Sequence, residues 1–244
     1  MDWGCIGAYV ASAWLVLDHH RQKEKVMKKL GSTSLIAAVA LLATVTAVEA
    51  QEHQTAASHR SAATTLNQTM RKLWTDHVVW TRDYIVSAVG DQPDATAAAG
   101  RLMKNQEDIG AAVAGFYGKA AGDGLTTLLK EHITIAVDII KFAKAGDKAS
   151  QQAADAKWHR NAEAIADFLA KANPNWPRAT LVDMMNVHLS TTTDEVVARL
   201  TKNWDADVRA YDKVYDHILM MADALSDGII KQFPQKFPAT ASTR

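Results

Sequence analysis

Five polar residues recur at nearly equal intervals in a sequence that otherwise favours helices. They are His77, Asn105, His132, Asn161 and His188, separated by 28, 27, 29 and 27 residues, with a turn signal about halfway through each interval. About 14 helical residues before a turn and as many after it cover the same distance, roughly 21 Å, along the helix axis. Helices that run alternately up and down would therefore bring all five side chains to one level. The spacing predicts an all-α fold, an up-and-down antiparallel bundle of four to six helices.

Composition agrees with this fold class. The 244 residues include only 12 glycines and 5 prolines, 48% of them are hydrophobic, and no segment alternates apolar and polar residues as a strand does. The formal net charge is zero, so the chain lacks the excess of basic residues that nucleic-acid binding requires. A single domain of this size can bury a substantial core.

The N-terminal fifth of the chain has the features of a secretory signal peptide. Lys28 and Lys29 precede an apolar run at residues 35–45, and Val48-Glu49-Ala50 resembles a cleavage site. Because such a peptide stands at a chain's start, we expect translation to begin at Met27. The predicted organisation is a mis-assigned start at 1–26, signal peptide at 27–50, flexible leader at 51–65, one helical-bundle domain at 66–234 and a polar tail at 235–244. The predicted location is the periplasm or the exterior, with no membrane span after cleavage.

Turn signals divide the domain into helical segments. Asp123 is the expected N-cap of the helix that carries His132, and Ser190–Thr193 is expected to cap the final segment. Whether that segment breaks near Asn203-Trp204 is left open. The predicted segments are about 66–89, 95–116, 125–145, 148–172, 178–189 and 194–230.

His132 is predicted to point into the core. Leu128, Leu129, Ile135 and Ile139 lie three, four or seven residues away and share its helix face. A buried imidazole without a hydrogen-bond partner costs about 1–3 kcal/mol, so His132 requires a partner.

Two kinds of partner fit the predicted polar layer. His77, His132 and His188 come from three helices and could coordinate a metal ion, with Asp207 or Asp212 completing the ligands. Nitrogen and oxygen ligands without sulfur suit zinc, iron, manganese or oxidised copper. In the alternative, the same residues form a hydrogen-bond network with each other and with water. Candidates for further contacts with a bound group are Arg82, Asn105, Asp108 and Asn161, and Arg82 could pair with Asp108 or hold an anion.

Several motifs together resemble those of an uncharacterised family of exported bacterial and archaeal helical-bundle proteins, often labelled glycosyltransferases. The match covers about Leu66 to Pro234, and the resemblance implies an exported helical protein. The matching residues are Leu73-Trp74, His77, Trp80-Thr81-Arg82, Arg101-Leu102, Asn105, Asp108, Tyr117-Gly118, Glu131-His132, Ala143–Asp147, Trp158, Asn161, Asn173-Pro174, Trp176, His188 and Gly228–Pro234.

The residues do not support the transferase label. Asp205-Ala206-Asp207 matches the Asp-x-Asp motif of metal-dependent sugar transferases, but it lies in a helical pattern with no nucleotide-binding strand before it. No nucleophile motif, phosphate loop or dinucleotide fingerprint is present. The sequence thus predicts an exported binding protein with a metal ion in its polar layer. The alternatives are a cofactor-free structural or partner-binding module of the cell envelope and a metal-dependent enzyme, and the sequence identifies no protein partner.

Overall fold

Six helices make up the computed structural model, which describes residues 62–237. The first helix, α1, covers residues 62–89 within the described part. The others are α2 (Ala95–Tyr117), α3 (Lys119–Ala145), α4 (Lys148–Ala172), α5 (Arg178–Leu200) and α6 (Trp204–Gln232). The predicted start, signal peptide and most of the leader lie outside the described residues.

The helices form an antiparallel bundle. From α2 to α6, each helix packs against the next one in sequence, across links of one to five residues. A link this short forces two long neighbouring helices to run in opposite directions. Helix α1 is joined to α2, α5 and α6 by side-chain hydrogen bonds. The predicted all-α bundle is confirmed, and none of the described helices is both long and apolar enough to span a bilayer.

The core follows the apolar face of every helix. Trp74, Ile109, Leu129, Ile165 and Ile218 come from five different helices and are at most 6% exposed within one continuous cluster. A second, smaller cluster contains Tyr84, Ile85, Ala98, Ile140 and Val196.

Two predicted helix boundaries are wrong. Helix α3 begins at Lys119, because Gly118 alone turns the chain with a φ of 85°. Asp123 lies inside this helix and pairs with Lys119. Helix α5 continues through Ser190–Thr193 to Leu200, and the Thr191 hydroxyl donates to the carbonyl of Val187 one turn back.

The break left open near Asn203 exists. Lys202 has a φ of 58°, and the Asn203 side chain accepts a hydrogen bond from the backbone N–H of Ala206, as an N-cap does. At the other end of the domain, Phe237 stacks on Phe116 at 6.0 Å between ring centroids, so part of the predicted polar tail packs against α2.

Glycines allow α2 and α3 to approach closely. A Cβ added at Gly122 would lie 2.5 Å from the Gly110 carbonyl oxygen and 2.6 Å from the Ala114 Cβ. These distances are too short for any non-bonded contact, so glycine at this position is required by packing rather than by a turn.

Replacing Gly122 with alanine is therefore expected to lower the free energy of unfolding by about 1–3 kcal/mol through overpacking. Gly100→Ala in α2 is the matched control, since nothing lies within 4 Å of its added Cβ. It should raise stability by up to about 1 kcal/mol through helix propensity alone. Urea denaturation of the two variants measures both changes in the free energy of unfolding. If both variants gained or both lost stability, the packing explanation would be contradicted.

Candidate functional site

Four imidazoles from four helices meet in the centre of the bundle. The His188 ring of α5 lies 5.6 Å from that of His77, 6.1 Å from that of His132 and 6.5 Å from that of His217, measured between ring centroids. All four residues are at most 6% exposed. The structure thus brings together the three histidines that the spacing predicted, and His217 of α6 joins them. We call these four residues the histidine cluster.

Asn161 fixes the proton position on His132. The two Asn161 amide hydrogens are directed to the Leu128 carbonyl and the Glu131 carboxylate, at 3.1 and 3.2 Å. The Asn161 Oδ1, 2.9 Å from the His132 Nδ1, is therefore the acceptor of this pair. His132 carries its proton on Nδ1, which leaves a lone pair on Nε2.

His217 makes its hydrogen bond through the other ring nitrogen. Its Nε2 lies 2.8 Å from the backbone carbonyl oxygen of Met184, which can only accept a hydrogen bond. The Nε2 of His217 therefore carries a proton and donates it to this carbonyl.

His77 of α1 contacts Gln106 of α2, a residue that the sequence analysis missed. The Gln106 Nε2 lies 3.3 Å from the His77 Nδ1 and also donates to the Leu102 carbonyl and to the Asn105 Oδ1. Asn105, which was predicted for this position, donates to the Leu73 carbonyl of α1 at 2.9 Å. Two features of the sequence could have indicated Gln106. It follows Asn105 directly, and it lies one helical turn after Leu102.

Burial keeps the imidazoles of His77, His132 and His188 neutral. Desolvation lowers the pKa of His77 from 6.5 to about 3, with a further contribution from neighbouring His132. It lowers the pKa of His132 to about 4, against an opposing hydrogen bond from Asn161. The pKa of His188 is also lowered, by desolvation and then by its histidine neighbours. Neutral imidazoles offer lone pairs, as metal ions and hydrogen-bond donors require.

Two ring nitrogens of the cluster have no partner. The Nε2 of His132 and the Nδ1 of His188 are buried and make no hydrogen bond. Both residues, together with His77, line a cavity of about 20 Å³ whose other walls are mainly aliphatic and methionine side chains. A space of this size holds about one water molecule or one ion.

The acidic residues predicted as ligands lie elsewhere. Asp207 is buried, but both of its carboxylate oxygens bind the Arg82 guanidinium, and Arg199 donates to it at 3.1 Å. Asp212 is exposed on α6. Neither residue has a contact with the histidine cluster among the interactions of residues 62–237.

Arg82 and Asp108 are not paired with each other. Asp108 binds Lys104 at 2.7 Å on the surface of α2. Arg82 instead joins α1 to α5 and α6, because it bonds Glu195 at 2.9 Å as well as Asp207. Together with Arg199, which binds Asp207, these residues form a cluster of charged side chains. Glu195 and Arg199 were not among the predicted site residues.

Within the described chain, no three or more His, Cys, Asp or Glu side chains stand in an arrangement that could hold a metal ion. Two imidazoles on one ion have ring centroids within roughly 6 Å of each other, since each nitrogen lies about 2.1 Å from the metal. The rings of His77 and His188, at 5.6 Å, meet this limit, and those of His132 and His188, at 6.1 Å, lie at it, so each pair is close enough to share an ion although no set of three is in place among the described residues. Comparison with protein-family models, curated proteins and solved structures returned no match, so the resemblance drawn from the motifs stays a prediction.

Proposed function

We propose that this protein is an exported binding protein whose histidine cluster holds one metal ion. The observation that carries the proposal is the pair of buried, unpartnered nitrogens on His132 and His188 beside a cavity of about 20 Å³. Leaving both nitrogens unsatisfied costs about 1–3 kcal/mol each, and a bound ion would remove that cost.

The hydrogen bonds around the rings support the same proposal. Imidazole ligands usually donate their second ring N–H to a carbonyl or carboxylate, which orients the lone pair toward the metal. His132 and His217 make such bonds to Asn161 and to the Met184 carbonyl. Binding would require the ligand side chains to shift, because no three of them in residues 62–237 are arranged for a metal ion as they stand.

The donor set limits the choice of metal. Neutral imidazoles without thiolate suit zinc, iron, manganese or oxidised copper. Because Asp207 is neutralised by Arg82 and Arg199, we assign the remaining coordination position to His217 or water rather than to a carboxylate. Export is proposed from the signal-peptide pattern at residues 27–50. We assign no reaction to the site.

The second candidate is a cofactor-free structural or partner-binding module. The same cavity has room for one water, which could donate to both unpartnered nitrogens and complete a hydrogen-bond network. In that case the polar layer would fix the register of the helices and do nothing else.

Metal analysis of the purified protein separates the two candidates. The protein is purified from the periplasm without chelators, and its metal content is measured by mass spectrometry. We expect about one equivalent of a transition metal in the wild type and none in His132→Ala. His159→Ala is the matched control, since His159 is about half exposed and lies outside the cluster. It should retain the metal.

Thermal unfolding provides a second readout. Removing a bound ion with a chelator should lower the Tm of the wild type by several degrees and leave that of His132→Leu unchanged. A wild-type protein with no stoichiometric metal, and a Tm that does not respond to chelator, would favour the structural network instead.

A further inference from the structure

A large elongated cavity lies between five helices, separate from the small one in the histidine cluster. Its volume is about 450 Å³, within the range of small-molecule sites. Its walls are mostly aliphatic, with Ile85 of α1, Leu102 of α2, Ile133 and Ile140 of α3 and Val196 of α5 among them.

The cavity extends from the middle of the bundle to one of its ends. On α4 it is lined by Trp158 and by Lys148, ten residues apart and so about 15 Å apart along the axis. Trp158 marks the inner end, because its ring lies 5.1 Å from that of His132. Lys148 is the first residue of α4 and is exposed, so it marks the outer end.

The inner part of the lining carries two polar atoms without a partner. The Oγ1 of Thr192 and the Nε1 of Trp158 are buried and make no hydrogen bond, and the two residues are 4% and 3% exposed. An indole N–H can only donate, and a hydroxyl can donate as well as accept. An oxygen atom of a bound molecule could accept a hydrogen bond from either of them.

The charge of the lining restricts the ligand further. Lys148 is the one formally charged side chain among the residues that line the cavity, and it lies at the exposed end. Burying an ionised group among the aliphatic walls would be strongly unfavourable. The volume corresponds to roughly 15 water-sized groups at about 30 Å³ each.

We propose that this cavity binds an uncharged, mainly apolar molecule of roughly 15 non-hydrogen atoms whose one hydrogen-bond-accepting oxygen contacts Thr192 at the inner end. Medium-chain ketones and alcohols have this chemistry. The proposal does not depend on metal binding, because the cavity lies outside the histidine cluster and none of the four histidines lines it.

Isothermal titration calorimetry with 2-undecanone tests the site on the full-length protein in the presence of chelator. We expect saturable one-to-one binding that Thr192→Val weakens about tenfold, because the variant keeps the shape of the side chain but removes its hydroxyl. Thr191→Val is the matched control. The Thr191 hydroxyl donates to the Val187 carbonyl and does not line the cavity, so binding should be unchanged.

Two further measurements test the location and the charge preference. Ala136→Phe places a ring in the cavity and should abolish binding while the far-UV circular dichroism stays that of the wild type. Decanoate should bind at least tenfold more weakly than the ketone, since its carboxylate must be desolvated.

Failure of the wild type to bind 2-undecanone would overturn the proposal, as would equal affinity in the wild type and Thr192→Val. Should Ala136→Phe unfold, Val137→Phe replaces it as the blocking variant at a neighbouring lining position. Tight binding of decanoate that disappears in Lys148→Met would show that the site prefers a carboxylate paired with Lys148. That result would overturn the proposal of an uncharged ligand.

Discussion

Lowering the pH from 7 to 5 is expected to reduce the free energy of unfolding of the metal-free protein by at least about 2 kcal/mol, a sizeable share of the typical total. Burial lowers the pKa of His77 to about 3 and that of His132 to about 4, and it lowers the pKa of His188 in the same direction. Each group stabilises the folded state above the unfolded-state pKa of 6.5, and that contribution is lost as the pH falls toward the folded-state value. At pH 5 His77 and His132 together lose about 4 kcal/mol, at about 2 kcal/mol each, and His188 adds to the loss in the same direction.

Glu195 acts in the opposite direction. Desolvation raises its pKa from 4.5 to about 7, against the favourable bonds from Arg82. Its protonated form is favoured by folding, so its contribution is fully present below pH 4.5 and is lost as the pH rises through 7. Between pH 7 and pH 5 it returns about 2 kcal/mol, which offsets the loss from one of the three histidines.

Denaturant titrations at pH 7, 6 and 5 in the presence of chelator measure this change. His132→Gln should reduce the pH dependence by about 2 kcal/mol, because the amide does not titrate. His159→Gln replaces a half-exposed ring outside the cluster, and the pH dependence of this variant should equal that of the wild type. Stability at pH 5 within about 1 kcal/mol of that at pH 7 would show that the core imidazoles do not titrate as described.

Replacing Arg82 with alanine is expected to destabilise the protein by about 3–5 kcal/mol, because the variant leaves a buried carboxylate without its cation. Glu195 is 1% exposed, and its other carboxylate oxygen, Oε2, has no hydrogen-bond partner. Asp207 would retain Arg199, at 3.1 Å, but would lose both bonds from Arg82. The variant also loses the contact between the guanidinium and the Tyr211 ring.

The matched control is Arg71→Ala. Arg71 pairs with Asp223 at 2.6 Å, but both side chains are about two-fifths exposed, so the loss should be at most about 1 kcal/mol. The double variant Arg82→Met/Glu195→Gln removes the uncompensated charge of Glu195 and should recover more than half of the loss. The Arg82→Ala penalty should also be smaller at pH 5 than at pH 8, since Glu195 protonates as the pH falls. A penalty no larger than that of Arg71→Ala would contradict a buried charge cluster.

The level of the histidines along the bundle could be predicted, because a helix rises by a constant distance per residue and the links are short. This geometry explains why His77, His132 and His188 meet. It also explains why Asn161 of α4 contacts His132 of the neighbouring helix α3. The spacing of residues in the sequence therefore determines the level of each side chain along the bundle axis, whatever contacts that side chain makes.

The direction of each side chain around its helix could not be predicted as well. Asn105 and Gln106 are adjacent at the right height, and which of them contacts His77 depends on the rotation of α2 against α1. Arg82 binds Glu195 of α5 and Asp207 of α6, more than a hundred residues away, instead of Asp108. Such partners depend on which helices are neighbours in space, and the sequence order of six helices leaves several arrangements open.

The single-residue link at Gly118 and the close contact of Gly110 with Gly122 bear on the order in which the chain assembles. Joining α2 to α3 closes a shorter loop than any other pairing of helices within residues 62–237, so it loses the least chain entropy. Contacts that are local in sequence form fastest during folding. We therefore expect this hairpin to form early, and the histidine cluster, which needs α1, α5 and α6 as well, to be completed only when the bundle closes.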